Sequence, residues 1–92
     1  MKKGLKIIDG LYLNMDHIVT FEVTNAQLVI ACDFSSERMP NVLYITTGKN
    51  DSICENSFID VAGELCVDIQ EVHRIKREIC DYLGIDEPVL IK

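Results

Sequence analysis

Apolar side chains recur every three or four positions at Ile69, Val72, Ile75, Ile79 and Leu83, which marks one face of a helix. This spacing predicts an amphipathic helix over residues 69–83. Both ends are signalled as well. Asp68 with Glu71 matches a capping box, in which the first carboxylate accepts from free N–H groups of the first turn and the second reaches back. Gly84 supplies the left-handed residue that ends helices, Ile85 can fold back on the last turn, and Pro88 discourages continuation. The opposite face carries Glu71, Arg74, Arg77, Glu78 and Asp81. Glu71 with Arg74, Arg74 with Glu78, and Arg77 with Asp81 stand at pairing distance, and a solvated face is expected. Lys76 falls inside the apolar arc. It is expected to snorkel to an edge of the interface or, less simply, to pair with a strand carboxylate.

Upstream of the helix the period changes from helical to alternating. Lys6-Ile7-Ile8 and Leu11-Tyr12-Leu13 flank Asp9-Gly10, a turn signal that predicts a hairpin or a bulge in one bent strand. Asn14-Met15-Asp16 breaks the pattern by local side-chain to backbone bonding. A strand over 17–23 would place Val19, Phe21 and Val23 on one side and Ile18, Thr20 and Glu22 on the other. Residues 27–34 are nearly continuous in apolar character, which suits a central strand buried on both faces. A polar loop over 35–40 closes with Pro40, and a further strand runs over 41–47. Residues 53–61, interrupted by Glu55-Asn56-Ser57, read as two short strands or one bulged strand, and 64–67 as a short strand entering the helix cap. The apolar tail after Pro88 suits an edge strand or a groove.

The sum is an α+β plan: one small domain over residues 1–92, a mostly antiparallel sheet of about five or six short strands, and one long C-terminal helix packed on it. The frame Tyr12-Leu13-Asn14-Met15-Asp16-His17-Ile18 resembles many small bacterial and phage proteins; that likeness names no family and implies no activity.

Charge and composition narrow the function classes. The formal net charge is −6, which argues against direct nucleic-acid binding, since that affinity comes from clustered Lys and Arg. No stretch approaches the ~18–20 apolar residues of a membrane span, and the start of the chain lacks the apolar run of a signal peptide. A cytoplasmic location is therefore expected. Cys32, Cys54, Cys66 and Cys80 are spaced 22, 12 and 14 apart among apolar neighbours, which suits reduced, packed thiols. A domain this small is marginally stable, so homodimerisation is an option.

Candidate chemistry is sparse. The metal-ligating types are His17, Cys32, Cys54, Cys66, His73 and Cys80, and none has ligand-pair spacing, so no metal is expected. Nothing brings a histidine beside Cys54 to activate it. Acidic residues are plentiful (Asp9, Asp16, Asp33, Asp51, Glu55, Asp60, Glu64), so pairs arise by chance; Asp33, at the end of an apolar strand, stands out. The five glycines are isolated and form no phosphate loop. No cofactor and no enzymatic activity are expected. The expected function is a protein-interaction module with an acidic surface. The candidate partner-binding residues are Asp51, Glu55, Asp60 and Glu64, with Glu37 and Arg38. A narrower form is a phage- or mobile-element-encoded inhibitor that occupies the basic groove of a nucleic-acid-handling host defence complex. The alternative is a regulatory domain binding a small molecule or peptide between sheet and helix, with His73, Lys76 and Tyr82 near the mouth.

Overall fold

The computed structural model of the chain describes residues 2–24, 27–47 and 59–88. Asp9 and Gly10 turn the chain between β1 (Gly4–Ile8) and β2 (Leu11–Asn14), an antiparallel hairpin. Gly10 adopts φ 81°, the left-handed conformation a tight turn requires. The pattern break after β2 is a single 3₁₀ turn (Met15–His17), with Asn14 Oδ1 accepting from the Asp16 N–H at 3.0 Å.

Four strands form a second sheet in the order β3 (Ile18–Thr24), β4 (Gln27–Cys32), β5 (Val42–Thr46), β6 (Glu64–Cys66). The α+β class holds, with the strands divided between a two-stranded and a four-stranded sheet rather than gathered in one. β3 to β5 are antiparallel neighbours, whereas β6 runs parallel to β5. A parallel neighbour needs a connection of a dozen or more residues, and Thr46 and Glu64 are far enough apart in sequence to allow one. The strand expected over 53–61 falls mostly outside the described residues; the described Ile59 and Asp60 are not in a strand.

Helix α1 (Ile69–Leu83) has the expected bounds. Asp68 Oδ1 accepts from the Gln70 N–H at 2.7 Å, and Gly84 closes the helix at φ 71°. Cys80 O accepts from the N–H groups of both Gly84 and Ile85. The helix packs Val72, Ile75 and Ile79 against both sheets. They share one core cluster with Leu5, Ile7, Leu13 and Met15 of the hairpin region and Leu28, Ile30, Leu43, Ile45 and Leu65 of the larger sheet. Full burial of each such side chain favours folding by ~1.5–3 kcal/mol.

Several expectations are corrected by the structure. β4 is central but buries only one face: Leu28, Ile30 and Cys32 are buried while Gln27, Val29 and Ala31 are half-buried. In β3 the alternation breaks at Val19, an extra residue between the pairs Ile18 with Cys32 and Thr20 with Ala31. This bulge leaves Val19 64% exposed and turns Ile18, together with Phe21 and Val23, toward the core. Lys76 neither snorkels nor meets a strand carboxylate. It is 3% exposed and paired to the chain after the helix: Nζ donates to Pro88 O at 2.8 Å and lies 3.4 Å from Glu87 Oε1. Arg74 also departs from a fully solvated face. It bridges Glu71 and Glu78 and donates through Nη2 to Lys6 O at 2.9 Å, tying helix to hairpin. Arg77 and Asp81 make no ion pair among the described residues.

Candidate functional site

The register of the larger sheet places one row of residues straight across it. Glu22 pairs with Val29, Val29 with Tyr44, and Tyr44 with Glu64. These alternate with the core-facing Leu28, Ile30, Leu43, Ile45 and Leu65, so they lie on the face opposite the helix. Glu22 and Glu64 are exposed and Val29 and Tyr44 half-buried. In the next row Thr20 and Val42 flank Ala31, with Val42 37% exposed. The outer face is thus an apolar and aromatic strip with a carboxylate at either edge. Three strand spacings separate those edges, or ~14 Å.

The residues chosen from sequence divide differently. Glu64 joins this face. Asp60 does not: its Oδ1 accepts from the N–H groups of Ala62 and Glu64, both at 2.9 Å, and its role is to hold the turn entering β6. Glu37 and Arg38 occupy a separate turn closed by Ser36 and Met39, exposed and near Gly10 of the hairpin. Asp51 and Glu55 lie outside the described residues, as does Cys54. Glu22 and Tyr44 were not singled out, because only the register shows that they share a row with Glu64.

Asp33, singled out at the end of its strand, meets a histidine. Its Oδ1 lies 3.0 Å from His17 Nδ1, and its N–H donates to His17 O at 3.1 Å. Phe34 stacks edge-on against the His17 ring at 4.5 Å between centroids. Phe34 also lines a cavity of about 190 Å³ between β2 and the chain that follows β4. The cavity differs in place from the one expected between sheet and helix. His73 is half-buried, and the Tyr82 hydroxyl donates to Asp16 Oδ1.

No family model matches the chain, and no curated protein or solved structure is significantly similar to it. Two of the acids that suggested acid–base pairs from sequence are held by lysines. Asp9 pairs with Lys6, whose ammonium holds its carboxyl below the ordinary value, and Asp16 pairs with Lys3 at 3.2 Å. Lys2, Lys3, Lys6 and Arg74 do converge on one shallow groove, but Glu71 and Glu78 share it and the last three cations are each paired. Burial pushes the Cys32 and Cys80 thiols up, with Asp33 and Glu87 respectively adding to the effect. Both are thereby kept protonated and poorly nucleophilic. Among the described residues no group of three or more His, Cys, Asp or Glu side chains could hold a metal, and no helix is long and apolar enough to cross a membrane.

Proposed function

We propose that this chain is a non-enzymatic interaction module that docks the outer face of its larger sheet onto a positively charged protein surface. The observation that carries this reading is the row Glu22, Val29, Tyr44, Glu64: an aromatic and aliphatic centre with a carboxylate at each end. Burial of the centre would supply affinity, with Tyr44 as the amphipathic anchor. The flanking acids, on a chain of net charge −6, would steer the encounter and set its register. The basic groove of a nucleic-acid-handling complex is one partner of this chemistry. An inhibitor of host defence carried by a phage or mobile element would use the face in this way.

The test is capture of partners from a native lysate on immobilised chain at low and high salt. It is repeated with the Glu22→Lys, Glu64→Lys double variant after circular dichroism has confirmed its fold. A protein retained at low salt, released at high salt and lost in the double variant is the expected result. Equal capture by both chains at both salt levels overturns the proposal. Competition by added nucleic acid tests the narrower form.

A further inference from the structure

Lys76 is the one charged side chain that is buried among the described residues, and its partners both come from the chain that follows the helix. That segment turns at Gly84, where the N–H groups of Gly84 and Ile85 donate to Cys80 O. Its far end meets Lys76, whose Nζ donates to Pro88 O at 2.8 Å and lies 3.4 Å from Glu87 Oε1. Length fixes the path between. Lys76 precedes Gly84 on the helix by a rise of ~12 Å, and the residues from Ile85 to Pro88 span ~13 Å when extended. They therefore run back along the helix with little slack. Cys80 stands midway, one turn from Lys76 on the same side. Burial and then the Glu87 carboxylate push its thiol up, which places that carboxylate near the sulfur. Cys80 is 2% exposed, yet it is not one of the core cluster.

The segment itself is held lightly. Gly84 to Glu87 are exposed, and Ile85 does not pack against the core cluster. Beyond Ile85, its hydrogen bond and its ion pair among the described residues are both made to Lys76. Opening it forfeits those contacts and little apolar burial, and it returns a desolvated ammonium to water. Segments with few buried apolar contacts open at a free energy well below that of the whole fold.

We propose that residues 85–88 are a strap, hinged at Gly84 and latched by Lys76, that opens while the core stays folded and uncovers Cys80. Closed, the strap keeps the thiol dry and protonated. Opening removes both the cover and the Glu87 carboxylate, and it leaves the Lys76 ammonium one turn away, a neighbour that favours the thiolate. The burial of Lys76 is thus a property of the closed strap rather than of the core.

The test is alkylation of the full chain by iodoacetamide, a small neutral reagent, with the extent at Cys80 read by peptide mass spectrometry. The rate is compared with that of the same thiol in the urea-unfolded chain, and the unfolded fraction is followed by circular dichroism at each urea concentration. Below the unfolding transition Cys80 is expected to react about tenfold or more faster than the unfolded fraction allows, and to change little with urea, because a small opening exposes little surface. Glu87→Lys sets a like charge at the latch and should speed Cys80 by about fivefold or more, with the rate still ahead of the unfolded fraction. Where that variant fails to fold, Glu87→Gln gives the same readout at smaller size. A Cys80 rate that tracks the unfolded fraction at every urea concentration overturns the strap, since the thiol then waits for global unfolding. A rate unchanged in a folded Glu87 variant overturns the latch, and the proposal with it.

Discussion

A single side chain, Lys76, shows how far a residue can depart from its helical wheel position. Its ammonium is buried among apolar neighbours and is held by Glu87 and the Pro88 carbonyl. Removing one partner of a buried charge costs far more than replacing the pair. Glu87→Gln should therefore destabilise the fold by ~1 kcal/mol, reduced from the fully buried case because the Glu87 side chain is 40% exposed. Lys76→Met should be near neutral or stabilising; urea midpoints compare the two directly. A loss in Lys76→Met larger than in Glu87→Gln would show that the ammonium contributes net stability. The buried thiols make a separate prediction. Cys32 and Cys80 have pKa values raised from 9.0, so the folded chain keeps protons that the unfolded chain releases. Their contribution to stability is whole below that unfolded value and is lost as pH rises from it through the higher folded values. The melting temperature should fall above pH 9.0, and less steeply in Cys80→Ala.

At the scale of elements, turns and caps decide more than strand composition does. Gly63 and Gly84 both have positive φ, at 81° and 71°, but their surroundings differ. A Cβ on Gly84 would meet nothing within 4 Å, while one on Gly63 would lie 2.8 Å from Val42 O. Gly84→Ala should cost the ~1–2 kcal/mol of a left-handed alanine. Gly63→Ala should cost more, because the β5–β6 pairing must shift as well, and chemical denaturation of both variants measures the difference. The helix was legible because Asp68, the apolar repeat and Gly84 lie within 17 consecutive residues. The phase of β3 was not, because a bulge at Val19 leaves no mark on an alternating pattern. Nor was the parallel β6, since the partner of a short strand is set across the fold rather than by its own residues.

The whole molecule is thin, with extents of 35 × 32 × 19 Å and a radius of gyration of 12.3 Å. That radius matches the ~12 Å expected of a folded monomer of this length. Within the described residues β3 is an edge strand, and its bulge at Val19 and the charged Glu22 both discourage addition of another strand. Small-angle scattering should accordingly return a monomer whose radius does not grow with concentration. A dimer would move the docking argument from the sheet face to the β3 edge. The face itself was half legible: alternation put Glu22 outward and showed that Tyr44 belonged to a strand, yet nothing local aligned either with Glu64.

Sequence alone determined the helix, its two caps and the α+β class, and narrowed the first turn to a hairpin or a bulged strand, because each depends on residues close together along the chain. Tertiary structure decided what required distant segments to meet. It set the division into two sheets, the burial of Lys76 against Glu87 and Pro88, the His17 and Asp33 pair, and the row from Glu22 to Glu64 across four strands. Register and packing are properties of pairs of segments, and a local pattern carries no record of the partner.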